Sequence, residues 1–237
     1  MRERELGTAG RGLIAVRPTR QVSSLPVVTI AHERGAGGAE VGSLLADRLG
    51  ADLVDSSLID EVARRLQLPR GEVEGQDERP RTIAERLLLG LALADGPTGL
   101  DASLREGVAS DPHDAIVALT AQVIREAAQS GSAVIVGRGA CFVLRDLPDA
   151  IHVFLCAPFE VRLCRLAARC EVDAATIRRQ LLADDARRRA YVREVHGRDW
   201  RDPQNYDLTI DTGRVDFEEA TELILQLATR RTALLSA

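Results

Sequence analysis

The hydrophobic pattern divides the chain into short β-branched runs separated by segments of helical spacing. Val27-Val28-Thr29-Ile30-Ala31 is an almost wholly apolar run between Pro26 and the cluster Gly35-Ala36-Gly37-Gly38. That is the pattern of a strand buried on both faces and feeding a tight turn. From Ala39 the apolar residues Val41, Leu44, Leu45 and Leu49 recur at helical steps, which predicts a helix stopped by Gly50. Residues 51–54 read as a second strand, and Asp55-Ser56-Ser57 offers an N-cap for a helix reaching Leu66. The stretch 69–112 is the least regular. It is expected to be an insertion that covers a bound substrate, with one helix over 82–94 whose Ile83, Leu87, Leu88 and Leu91 also suit plain packing. Further on, the pattern predicts a helix over 114–129, a strand over 133–136 ending in Gly137-Arg138-Gly139, and a strand over 151–155. Helical runs over 159–169 and 174–194, a strand over 207–211 and a closing helix over 217–229 complete the chain.

Five short strands alternating with amphipathic helices predict an α/β fold, a three-layer α/β/α arrangement around a five-stranded parallel sheet. Residues 1–26 mix Gly, Arg, Ser and Pro without periodicity and read as a flexible tail, leaving one domain over 27–231.

Composition narrows the class. With 45% hydrophobic and 28% charged residues, the 237-residue chain has the make-up of a soluble globular protein. No apolar run approaches the roughly 20 residues of a bilayer span. Gly12-Leu13-Ile14-Ala15-Val16, with Arg on both sides, is too short for a signal peptide core, so a cytoplasmic location and no membrane partner are expected. Cys141, Cys156, Cys164 and Cys170 lack metal-site spacing and are expected to be buried reduced thiols, with no metal bound by the protein itself. Every basic residue other than histidine is arginine, because the sequence contains no lysine. A local excess of arginine over residues 138–201, inside a chain of net charge −5, suits either a local anionic ligand or solvated helix faces. At 3% aromatic residues, stacking platforms are scarce, which argues against a nucleic-acid partner.

A strand, a glycine-rich turn and a helix N-terminus make an anion site, since unpaired N–H groups and the helix dipole converge where glycines let a ligand approach. Residues 31–39 have that order. The lysine-containing pattern G-x-x-x-x-G-K-[ST] is not met, because Gly38 and Ala39 stand where the lysine and the hydroxyl would be. Arg34 could supply a phosphate-facing cation in its place or be only a loop cation. Arg138, between two glycines at a strand's C-terminal end, stands where α/β folds bind ligands, or it satisfies loop carbonyls. Arg162, Arg165 and Arg169 share one helical face, either as a phosphate-binding set or as a solvated basic face.

The string Thr29-Ile30-Ala31-His32-Glu33-Arg34-Gly35-Ala36-Gly37-Gly38-Ala39-Glu40 resembles the degenerate phosphate loop of the cytidylate kinase-like family, approximately I-S-R-x-x-G-S-G-G-x-x-I. Leu53-Val54-Asp55 with Leu58-Ile59, residues 134–140, residues 153–158 and Asn205-Tyr206-Asp207-Leu208 with Asp211-Thr212 continue the likeness. His32 stands where the family often has Arg, and Ala36 where it has Ser. The resemblance implies a P-loop kinase-like fold with a helical lid, ATP and Mg2+ as cofactors, and CMP or dCMP as phosphate acceptor. It implies phosphate binding by Arg34, Gly35, Ala36, Gly37, Gly38 and Ala39, an acceptor-phosphate contact from Arg138, and lid arginines at Arg162 and Arg169. The stretch holding Asp185, Arg188 and Arg189 is similar to the family's D-x-x-R-A, with which it binds phosphate and base. Asp55 falls near the family's acidic residue that orients the acceptor phosphate or a magnesium-bound water, or it is only a helix cap. Trp200 and Tyr206 read as packing anchors. The competing reading is a nucleotide-binding sensor with little catalysis, to which loss of the lysine and hydroxyl points.

Overall fold

Strand β1 (Val28–His32) sits at the centre of a five-stranded, wholly parallel sheet in the order β2-β3-β1-β4-β5. Its partners are β3 (Ala133–Val136) and β4 (Ile151–Cys156), with β2 (Asp52–Val54) and β5 (Leu208–Asp211) at the two edges. The register pairs Ile30 with Val136 on one side and with Val153 on the other. The computed structural model describes residues 26–76, 112–169 and 172–235. The expected tail, the expected helix over 82–94 and Cys170 lie outside them.

The period-2 alternation of each strand divides the core in two. Val28, Ile30, Val134, Val136 and Val153 face α1 (Gly38–Leu49) and the last helix, whereas Val27, Ala133 and Ile135 face α2 (Ser57–Leu66) and α4 (Pro112–Ser130). Full burial of each such valine or isoleucine contributes about 1.5–3 kcal/mol. Two helix layers on a parallel sheet result, as the sequence pattern predicts.

A helix α3 (Arg70–Gln76) begins the stretch expected to be irregular. After β3 comes the single turn α5 (Ala140–Val143), and after β4 come α6 (Phe159–Ala167) and α7 (Ala174–His196). Gly197, at φ +64°, ends α7 two residues later than the apolar pattern indicates. A short 3-10 turn (Pro203–Asn205) precedes β5, and α8 (Phe217–Leu235) closes the chain. Among the described residues no helix is long and apolar enough to cross a membrane. The three described cysteines are free thiols, but only Cys141 is buried; Cys156 is half-buried and Cys164 exposed. The expectation fails at Cys164 because α6 turns Arg162 and Leu163 inward, which leaves the next position facing solvent.

In a parallel sheet every strand delivers its C-terminal end to the same edge. Here that edge gathers the glycine loop after β1, Gly137-Arg138-Gly139 after β3, Ala157-Pro158 after β4 and Thr212 after β5.

Candidate functional site

The loop after β1 is shaped by its glycines. Gly35 and Gly37 hold φ of +83° and +89°, and the Ala36 N–H donates to the Glu33 carbonyl at 2.9 Å, closing the turn. Gly37 is the N-cap of α1 and brings no side-chain cap, and the Val41 N–H to Gly37 carbonyl bond spans 2.9 Å. The N–H groups of Gly38 and Ala39 precede it and have no partner inside the helix. Together with the helix dipole they form a positive pole facing the sheet's C-terminal edge. A cavity of about 150 Å³ lies over it, lined by His32, Arg34, Gly37, Gly38, Arg165 and Arg169 among others.

Helix α6, which ends at Ala167 rather than at 169 as the sequence pattern indicates, and the turn after it lay three arginines along this loop. Arg162 donates to the Arg34 carbonyl at 3.4 Å, Arg165 to the Gly35 carbonyl at 3.3 Å, and Arg169 pairs with Glu40. Arg165 also donates to the Thr212 carbonyl at 2.6 Å, while the Thr212 hydroxyl donates to the Ala36 carbonyl at 2.9 Å. The loop is thereby fastened to the end of β5. Burial raises the Glu40 carboxyl's pKa, but the Arg169 hydrogen bond, the residue's own N–H and the charges of Arg169 and His32 outweigh it and leave the group lowered.

Beneath the loop lies a buried ion network. Arg162, 3% exposed, reaches Asp185 at 2.9 Å and Glu33 at 3.3 Å. Arg201 reaches Glu33 at 2.5 Å and Asp185 at 3.0 Å, so two carboxylates face two guanidiniums. Charges this deep persist only when paired and hydrogen-bonded, and the Ala157 carbonyl takes the Arg162 Nε–H at 3.1 Å. In this arrangement the Arg162 guanidinium and the Asp185 carboxylate are directed at each other, beneath the loop rather than into the cavity.

The other residues singled out by sequence divide in the same way. Arg34 lines the cavity and pairs with Asp184 at 2.5 Å; Arg187 meets the same carboxylate at 2.9 Å. Arg138 is half-buried and holds φ of +57°, so Gly137, Arg138 and Gly139 form three successive left-handed residues beside β1. The Gly137 N–H donates to the Ile30 carbonyl at 2.9 Å, which seats this turn next to the phosphate loop. Arg188 donates to the His32 carbonyl and stands 6.0 Å over the Trp200 ring, whereas Arg189 faces solvent. Asp55 is half-buried past the end of β2 and accepts the Ser57 N–H at 3.3 Å, an elongated cap contact. Trp200 and Tyr206 both pack on Phe154, edge-on and stacked.

Glu33, Asp184, Arg201 and Thr212 belong to the same assembly, yet periodicity and motif spacing do not single them out. The available signals are that Glu33 and Thr212 fall inside the family-like stretches and that Glu33 stands between a buried strand and the glycines. A carboxylate there must find a buried cation.

The sequence model of the cytidylate kinase-like family matches residues 27–214. A cytidylate kinase of Methanothermobacter thermautotrophicus is 26% identical over 193 residues, covering 81% of this chain and 98% of that protein. Another, of Methanopyrus kandleri, is 32% identical over 108 residues, 42% of this chain, so the match spans only 56% of that relative's length. The crystal structure of an uncharacterized protein from Eubacterium ventriosum superposes with a TM-score of 0.62 at 24% identity, covering 86% of this chain and 98% of that one. The fold is therefore shared with a solved protein.

Proposed function

The chain belongs to the cytidylate kinase-like family, and from that premise we propose that it transfers the γ-phosphate of ATP to CMP or dCMP. The observation that carries this reading is the juxtaposition of an uncapped glycine loop with the Gly137-Arg138-Gly139 turn on the adjacent strand. Phosphoryl transfer asks the protein to align donor and acceptor and to neutralise charge on the group in flight. The loop N–H groups of residues 35 and 37–39 hold the donor phosphates. Arg138 takes the acceptor phosphate in a bidentate fork, which stays charged at any working pH. Arg34 and Arg169 line the donor cavity and exchange carboxylate partners for phosphate oxygens when the nucleotide binds. Arg162 acts through Asp185, holding α7 so that Arg188 stands on the acceptor side beside Gly137 and Gly139.

Mg2+ takes phosphate oxygens and water readily and needs few protein ligands. Among the described residues no three His, Cys, Asp or Glu side chains form a metal cage. The half-buried Asp55 carboxylate, whose hydrogen bonds among the described residues are local and long at 3.3 and 3.4 Å, suits contact with a metal-bound water. Delivered with ATP, the ion supplies charge neutralisation on the β- and γ-phosphates.

A second reading, a nucleotide-binding sensor, is favoured by Gly38 and Ala39 in place of lysine and hydroxyl, and by the carboxylates that occupy Arg34, Arg162 and Arg169. A coupled ADP-release assay with CMP, dCMP, UMP, AMP and GMP offered separately decides between them. Turnover with CMP or dCMP that collapses in Arg138→Ala supports the kinase. ATP binding by calorimetry without turnover on any acceptor supports the sensor.

A further inference from the structure

We propose that the imidazole of His32 takes the place of the absent loop lysine as the group facing the nucleotide's phosphates, so that phosphate binding is coupled to protonation of His32. This rests on the reading that the loop binds ATP, and adds to it a residue and a proton.

The argument begins at Gly38, where the lysine of a full phosphate loop would stand. A Cβ on Gly38 would lie 2.3 Å from both Cγ and Cδ2 of His32. The ring therefore fills the volume from which any side chain at position 38 would start. Glycine at 38 and histidine at 32 fit each other: the first makes room, and the second puts a titratable group into that room. His32 is half-buried at the end of β1 and lines the 150 Å³ cavity with Gly37, Gly38 and Ala39. Its Nδ1 lies 3.2 Å from the Glu33 carbonyl. A carbonyl only accepts, so Nδ1 carries hydrogen and Nε2 is the atom that takes up or gives up a proton.

The charges around the ring define its response. Glu33 and Arg34 come from the loop, Glu40 from α1, Arg165 from α6, Arg169 from the turn after it, and Arg188 from α7. Glu33 is matched by Arg162 and Arg201, Arg34 by Asp184, and Glu40 by Arg169. Into this setting, where the arginines outnumber the carboxylates, ATP brings a polyanion on the loop side, which favours the imidazolium over the neutral ring. A lysine would hold its charge throughout the physiological range, whereas an imidazole titrates near about 6.5. Binding then takes up a proton whenever the free ring is neutral.

The four imidazoles of the chain are followed by NMR titration, free and saturated with MgATP, with His32 assigned by the resonance lost in His32→Gln, or in His32→Asn should the first fail to fold. The expected result is a rise in the His32 pKa of about one unit on adding ATP, with His113, His152 and His196 unmoved. In parallel, calorimetry gives the ATP affinity from about pH 6 to about pH 8. It should fall about tenfold more in the wild type than in His32→Gln, a difference that removes ATP's own phosphate titration. A His32 resonance indifferent to bound ATP, or equal slopes in the two proteins, overturns the proposal while leaving nucleotide binding intact. No ATP binding at any pH overturns this proposal and the kinase and sensor readings together.

Discussion

Gly37 carries φ of +89°, and a Cβ there would stand 2.2 Å from the Phe217 ring, so two independent constraints fall on one residue. A left-handed backbone alone costs about 1–2 kcal/mol for a residue with a side chain. The displaced ring adds overpacking. Gly37→Ala should lower the unfolding free energy in urea by about 2 kcal/mol or more and weaken ATP binding. Arg162 poses the opposite problem, a charge whose removal leaves others stranded. Arg162→Met leaves the buried Glu33 and Asp185 carboxylates to share Arg201 alone, and the expected loss is about 3–5 kcal/mol in the same urea experiment. A loss below about 1 kcal/mol would mean that the network is open to water.

At the scale of elements, β1 and β4 are joined by Thr29 and His152, which sit opposite each other in register with the hydroxyl 2.8 Å from Nδ1. Burial pushes the His152 imidazole below its ordinary value, with the Asp207 charge opposing and the Arg231 charge adding to the shift. The folded chain thus holds that proton more weakly than the unfolded chain. Its contribution to stability is full above the unperturbed value of about 6.5 and is lost as pH falls toward the lowered folded value. Thermal melts should show Tm falling on acidification below about pH 6.5, and falling less in His152→Gln. Helix α6 is a second unit at this scale. Its 3.6-residue repeat lets Arg162 and Arg165 meet successive parts of the loop at Arg34 and Gly35, while Arg169, two residues past the helix end, reaches Glu40 on α1.

Across the whole molecule the ion network joins four separate stretches: the loop after β1, α6, α7 and the Trp200-Arg201 segment. Groups that share partners do not add independently. A double-mutant cycle of Asp185→Asn and Arg201→Gln should show a coupling energy on the order of 1–3 kcal/mol, measured by urea unfolding. Additivity within about 0.3–0.5 kcal/mol would show that α7 and this segment are held by packing on Phe154 instead. If the cycle also shifts ATP affinity, the network couples α7 to the glycine loop.

Much of this was legible in the chain itself. The β-branched runs at 27–31, 133–136 and 151–155, and the glycines after the first two, already specified a parallel sheet with left-handed glycine turns at its edge, because strand burial and left-handed backbone are local demands on residue type. The family resemblance rested on the same segments. What the sequence left undetermined was where each arginine points. The spacing of Arg162 and Arg169 suggests one helical face, yet the helix ends at Ala167: one is 3% exposed against Asp185 and the other, past the helix end, pairs with Glu40 at the rim. A charge takes the nearest partner that lets it stay ionised, and those partners come from strands and helices distant in the chain. The sequence determined which residues could form the sheet and the loop. Only the tertiary structure decided which charges would be buried with one another and which would line the cavity.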